Sequence, residues 1–330
     1  MIHPKYMSLV QGCGYRADAG ESLAITRALD HVEQQITETM FAELRGLRFI
    51  PAIPNVDPGA KTYTFPVMTR TGRAAIAGPR GKDLPRGNES LSEHTSGIET
   101  YGAEYAYTTA ELRAVAMANN GRGPVINLEA TRALTVAEMI ARKIDDVIAF
   151  GEPLRLTGAA AIRGFLNNTS VTVESAPLAW EDMTPDELLN ELYALANRQL
   201  VISKEMLQPD TILLPTAHHQ LVTTTPYGTA GLKTVLSFFN DAMQNARRSV
   251  AVESWPLLVD ADAGRTGPRA VAYKRSVDVA GAIVPAAFIA QPPQAQGLEW
   301  VTPCEGICGG VAVKQPLGIY YRDGLGDVSA

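Results

Sequence analysis

The sequence predicts an α+β fold, and three observations carry that expectation. Asn127 to Phe150 sets Val136, Ile140, Ile144, Val147 and Ile148 on one helical face. Lys61 to Met68 and Ser96 to Thr108 alternate apolar and polar residues with the period of two of a strand. Residues 180–280 alternate helical and extended patterns, as a compact α/β unit would.

Composition narrows the class. The chain has 330 residues, 46% hydrophobic and 19% charged, enough for one large or two modest domains. A charged fraction below the usual quarter, with 28 Gly and 21 Pro, fits a homo-oligomer or a loop-rich chain. The net charge of −6 gives no sequence-wide basic footprint for gripping nucleic acid. Three cysteines, Cys13, Cys304 and Cys308, are an odd, sparse set and point to a reducing compartment. No apolar run reaches the ~18 residues of a membrane span, and the N-terminal residues lack a signal-peptide pattern. An intracellular, soluble product is expected.

Taken in order, residues 1–20 read as a Gly-rich arm. Glu21 to Leu47 reads as an amphipathic helix through Ile25, Leu29, Val32, Ile36, Met40, Leu44 and Leu47, with Gly46 fraying its end. Phe49 to Pro54 is apolar but twice broken by proline, an extended lead-in. Strand-like Lys61–Met68 and Ser96–Thr108 then bracket a basic, Gly/Pro-rich tip, a long two-stranded excursion. Such an isolated hairpin is marginal in water. It is expected to lie on something else, most simply a neighbouring copy.

A short helix over Ala110 to Ala118 precedes the long helix, which would be about 36 Å long at 1.5 Å per residue. Asn127 is its candidate N-cap, Glu129 complements the dipole and Gly151 suits a left-handed stop. Thr184-Pro185-Asp186-Glu187 spells a capping box with Pro at the first position, for a helix to about Val201. Thr211–Leu214 reads as a buried strand, Thr216–Val222 and Val235–Ala246 as helices. Val250–Val252, Leu257–Val259 and Arg269–Arg275 read as strands, with a turn at 260–269. Leu298–Val301, Gly310–Lys314 and Leu317–Tyr321 are extended.

Catalytic signals are poor. Gly228 to Thr234 and Gly78 to Lys82 miss the phosphate-loop spacing, and Gly12-Cys13-Gly14 lacks the third glycine of a dinucleotide fingerprint. Cys304 and Cys308 would need two further zinc ligands. His218 and His219 point to different helix faces, so a core histidine is the expected reading. Asp260-Ala261-Asp262 starts like a calcium loop, but Val271 takes the place of the bidentate Glu. No catalytic, cofactor or metal residues are therefore assigned. The tip cations Arg70, Arg73, Arg80, Lys82 and Arg86 are either a solvated face or partners for a neighbour's acids. Glu21, Glu33, Glu38 and Glu43, on the polar side of the first helix, are the candidates for those acids.

The order of elements resembles the major capsid proteins of tailed bacteriophages, the Hong Kong 97-like fold. LRGLRFIPAIPNVDPGAKTYTFPVMTRTGRAAI, GKDLPRGN and YGAEYAYTTAELRAVA look like the coat-protein loop. AEMIARKIDDVIAFGE with IRGFLNN looks like the spine helix and its exit, and GGVAVKQPLGIYYRDGL like the closing strands. The resemblance covers roughly Glu21 to Leu325.

It implies an N-terminal arm and helix at 1–50 and an E-loop at 51–109. A P domain with the spine helix follows at 110–175, then an A domain at 176–290, and 291–330 returns to the P domain. It further implies a non-enzymatic subunit that forms pentamers and hexamers and then an icosahedral head around double-stranded DNA, without sequence-specific binding or a membrane. A cement or scaffolding protein and a portal would be further partners, the host cytoplasm the site of assembly and the virion capsid the final location. Two departures stand out. Lys82 could stand for the lysine of the family's covalent Lys–Asn link, but no Asn follows Asn245, so cross-linking is not expected. Only about 20 residues precede the first helix, too few for a fused scaffolding domain. The alternatives are an encapsulin-like nanocompartment shell and, more weakly, an intracellular α/β enzyme.

Overall fold

The computed structural model describes residues 43–76, 86–119, 127–158, 160–228, 233–262 and 267–326. The chain divides into two units, Met1–Phe41 with Thr109–Leu128, and Ala42–Thr108 with Glu129–Ala330.

In the second unit, a four-residue helix α1 (Gly46–Phe49) opens the described chain. Residues 43–45 are not helical, so the helix expected to run to Leu47 does not reach it, and residues 21–42 lie outside the described residues. The reason lies at Gly46. Its N–H donates to buried Asp145 Oδ1 at 2.6 Å. A Cβ there would stand 2.5 Å from that oxygen. Phe49 and Ile50 then enter the core, Phe49 5.5 Å from Trp255. Extended residues follow, with Ile53 N donating to Ala282 O at 2.8 Å, which agrees with the proline-broken lead-in.

Strand β1 (Thr62–Thr71) pairs antiparallel with β2 (Asn88–Gly97), from Thr62↔Gly97 to Thr71↔Asn88. This corrects the expected partner, residues 96–108. Ile98, buried, is the hinge after β2, and β3 (Glu99–Thr108) leaves the hairpin altogether. The inward face of β3, with Tyr101, Ala103 and Tyr105, packs on the main core. The first unit contributes helix α2 (Thr109–Asn119).

The long helix α3 (Leu128–Phe150) buries Val136, Ile140, Ile144, Val147 and Ile148, the five positions its periodicity marks. It stops at Gly151, whose φ is +73° and whose N–H donates to Val147 O at 2.8 Å. The chain turns back so tightly that a Cβ on Gly164 would meet Ala149 O at 2.3 Å.

A five-stranded sheet carries the remaining core. Strand β4 (Thr172–Ser175) lies at one edge. Helix α4 (Pro185–Ser203) starts with the expected capping box on Thr184 and Glu187. Strand β5 (Thr211–Leu214) and helix α5 (Thr216–Thr224) follow. The two-residue strands β6 (Pro226–Tyr227) and β7 (Lys233–Thr234) pair with each other, and α6 (Val235–Asn245) begins at Thr234. Strands β8 (Ala251–Ser254) and β9 (Ala270–Tyr273) complete this stretch. Leu257–Val259, expected as strand, instead belongs to a 3-10 turn at Pro256–Leu258, where proline fixes φ and removes a ladder donor.

Strands β10 (Ala280–Ala282), β11 (Ala286–Ala290), β12 (Gln294–Gln296), β13 (Glu299–Cys308), β14 (Val311–Val313) and β15 (Ile319–Asp323) end the described chain. Strand β13 pairs with β3 along its whole length, Glu299↔Thr108 to Cys308↔Glu99, and with β11 and β12 on its other side. The second sheet runs β4-β15-β9-β5-β8. Thus Ile319–Asp323, expected to return with residues 291–330 as a group, lies between β4 and β9.

Both faces of this sheet's central strands β15, β9 and β5 are buried, which explains their apolar runs. Ile212, Leu214, Ala270, Ala272 and Tyr320 pack with Leu188, Leu192, Leu195, Val235 and Phe239 of the covering helices. Leu213, Val271, Tyr273 and Tyr321 face the other way, into the core of α3. One cation is buried with them. Arg269 donates to Asp323 at 2.6 and 2.7 Å and to Leu166 O, its guanidinium 4.4 Å from the Tyr321 ring centre. That pairing satisfies the charge that burial would otherwise penalise.

Candidate assembly surface

The β1–β2 hairpin buries little beyond its root, Ser96 and Gly97. On one face Tyr63, Phe65 and Val67 are half-buried, and the Phe65 and His94 rings stack at 5.6 Å. On the other face Thr64 and Thr95 join their hydroxyls at 2.9 Å. Beyond them Met68 stands opposite Leu91, 53% and 64% exposed, and Arg70 meets Glu89 at 3.7 Å.

The root is held firmly. Ser96 Oγ lies within hydrogen-bond reach of Ala161 O at 3.2 Å and Gly309 O at 3.0 Å. Ile98 N donates to Lys61 O at 2.9 Å. Gly97 is packed so closely that a Cβ would meet Ala160 O at 2.7 Å. Two cavities adjoin the root. One of about 370 Å³ is lined by Phe65, His94, Arg163, Asn168 and Lys314. Another of about 540 Å³ is lined by Lys61, Glu99, Arg155 and Ala160, with Arg155 and Glu99 paired at 2.8 Å. A fixed root with an exposed, two-faced ribbon is a geometry suited to contacting another surface.

The comparisons with known proteins agree with that reading. The family model described as major capsid protein matches residues 72–325. The chain belongs to the major capsid protein family. No curated protein matches it. Among solved structures, the capsid of Myoviridae phage XM1 is similar with a TM-score of 0.77 and 19% identity, over 93% of this chain and 100% of that one. A structure titled Mycobacterium phage Ogopogo is similar with a TM-score of 0.58 and 15% identity, over 93% of this chain and 100% of that one. A virus-like particle from Pyrococcus furiosus is similar with a TM-score of 0.50 and 13% identity, over 84% of this chain and 91% of that one. The mixed helix-and-sheet fold is thus one that phage capsid chains share.

Within this capsid-family chain the expected contact residues are spread along the hairpin. Arg70 is already in a loose pair with Glu89. Arg73 and Arg86 are exposed at the hairpin's far end. Arg80 and Lys82 lie outside the described residues, as do Glu21, Glu33 and Glu38. Glu43 is described, and it is engaged within its own chain, at 3.1 Å from Arg45 and 4.0 Å from Arg48. Among the described residues, Arg70, Arg73 and Arg86 form no ion pair with Glu43. Sequence reasoning missed Met68 and Leu91 as a pair because it left residues 88–95 in the tip.

Among the described residues no group of three His, Cys, Asp or Glu is placed to hold a metal ion. Cys304 and Cys308 are buried, and burial pushes the Cys308 thiol up to about 11 while Gly310 N donates to its sulfur at 3.4 Å. Such a thiol is protonated at neutral pH and weakly nucleophilic. His218 is a core residue, edge-on to Trp180 at 5.6 Å. No described helix is long and apolar enough to cross a membrane.

Proposed function

We propose that the chain is the coat subunit of a tailed-phage head, assembling through pentamers and hexamers into an icosahedral shell around double-stranded DNA. The observation that carries this reading is the family match over 72–325. The hairpin supports it physically, because a two-stranded ribbon with an exposed apolar pair gains most by lying on a neighbour.

In this reading the fold is Hong Kong 97-like. The region 51–109 acts as the E-loop, 110–175 as a P domain with α3 as its spine, and 176–290 as the A domain, with 1–50 as the arm. Residues 291–330 act as return strands of the P domain, with β13 beside β3 and β15 between β4 and β9. The role is structural rather than catalytic. Portal and scaffolding or cement proteins are its partners, host cytoplasm its place of assembly and the virion its destination. The acidic balance of −6 suits a wall that holds DNA without gripping it. Shell stability rests on non-covalent contacts, since the acceptor asparagine of a covalent link is missing from the closing strands.

Electron microscopy of the purified chain, alone and co-expressed with the proteins of its neighbouring genes, tests the proposal. Closed shells or rings of five or six are expected. Dispersed monomers or dimers under both conditions would refute it, and shells that retain a cargo-peptide-bearing protein instead of DNA would favour a nanocompartment.

A further inference from the structure

We propose that the cavity of about 370 Å³ beside the hairpin root binds a phosphate group, held by Arg163 and Lys314. The inference does not depend on the shell reading. Three segments far apart in sequence form the cavity: β2 through His94, the return after α3 through Arg163, Asn168 and Ser170, and the stretch after β14 through Lys314. Their relative positions are fixed. Ser96 Oγ reaches Ala161 O at 3.2 Å and Gly309 O at 3.0 Å, and Val311 N donates to Arg163 O at 2.9 Å. The size lies near the lower end of ligand pockets, about 300–1,000 Å³, which suits a small oxyanion with its water.

Charge identifies the occupant. The lining carries an excess of cations in a chain of net charge −6. Its one carboxylate, Glu93, stands opposite Pro66, whereas His94 stands opposite Phe65. Phe65 and Val67 line the cavity and Pro66 does not. Successive strand residues point to opposite faces, so the Glu93 carboxylate belongs to the other face of the hairpin. Among the described residues neither Arg163 nor Lys314 forms an ion pair. Arg163 Nη1 donates to Thr169 Oγ1 at 3.0 Å, and among the described residues nothing accepts from its Nε and Nη2 edge.

The donors select phosphate. Two like charges lining one cavity repel, and an anion between them relieves the repulsion. Asn168 Oδ1 already accepts from Ser170 N at 3.0 Å, so its NH2 end remains as a donor, and the Ser170 hydroxyl lines the same cavity. A carboxylate brings two oxygens to these groups, and a phosphate group brings at least three acceptor oxygens. The arginine fork takes two of them, and the lysine supplies a point charge to a third.

Equilibrium dialysis of the full-length chain against labelled inorganic phosphate, at an ionic strength held constant with sodium chloride, tests the site. One saturable phosphate per chain is expected. Arg163→Gln with Lys314→Gln should weaken binding roughly tenfold or more. Lys314→Gln alone, which removes an ammonium with no ion pair among the described residues, should weaken it about fivefold. Melting temperatures in chloride check that the variants fold, and the single variant decides the matter where the double one does not. A short single-stranded DNA oligonucleotide then identifies the source of the group. Displacement of the label assigns a phosphodiester, and no displacement assigns the free anion. Absence of saturable binding, or saturable binding that Lys314→Gln leaves unchanged, would overturn the proposal and leave the shell reading standing.

Discussion

Glu174 shows how single charges are used in this chain. Arg198 Nε donates to its carboxylate at 2.8 Å and Tyr320 Oη at 3.0 Å, with Arg322 at 3.7 Å. The hydrogen bond from Arg198, with help from Tyr320 and the nearby guanidinium charges, holds the carboxyl below the usual glutamate value against the opposing effect of burial. A depressed carboxyl contributes stability that is present above the unfolded value and is lost as pH falls through the folded one. The melting-temperature gap between the native chain and Glu174→Gln should therefore be steady above pH 4.5, the ordinary value, and shrink below it. The carboxylate is about a third exposed, so the full effect is about 1 kcal/mol or less. A gap that does not change with pH would contradict this. Nothing in the local sequence marks Glu174 for this role, since its partners arrive from residues 198, 320 and 322. Arg269 and Asp323 were hidden for the same reason, as a buried pair is made by the sheet and not by neighbours in sequence.

At the scale of elements, α3 was readable because its signals are local. Five apolar positions at helical spacing and a glycine stop suffice, and Gly151 takes the positive φ those signals imply. Gly151→Ala tests how much the exit matters. The new methyl carbon would meet Ile162 O at 2.3 Å in a backbone region that alanine disfavours. A loss of about 2–3 kcal/mol in urea unfolding is expected, and a loss under ~0.5 kcal/mol would show that the exit relaxes freely. The capping box before α4 was equally plain in sequence. Strand β2 was not. Up to Thr95 its residues, NESLSEHTSG, include one apolar side chain, Leu91, so no period of two announces it, and register with β1 defines it instead. With β2 hidden, the cations of the hairpin could be read from sequence but the Met68–Leu91 pair could not. The 3-10 turn at Pro256 was missed because apolar residues were weighed above the proline that precedes them.

At the scale of the whole molecule, the sequence yields the order of elements but not which strands meet. Strand β13 pairs with β3 nearly two hundred positions earlier in the chain, and β15 inserts between β4 and β9. Such pairings depend on long-range packing that local periodicity does not encode. What emerges is a doubly covered sheet and a long helix sharing a core, with a firmly rooted hairpin directed away from it. The chain belongs to the major capsid protein family, and in the shell reading proposed above every copy has a neighbour on which such a hairpin could lie. In that reading the folded chain works by associating with itself.

The most direct measurement is mass by light scattering across protein and salt concentration. Species of at least five subunits of 35.4 kDa each are expected, growing with concentration and weakening with salt. A mass fixed at one or two subunits under every condition, with co-expressed neighbouring gene products present, would contradict it.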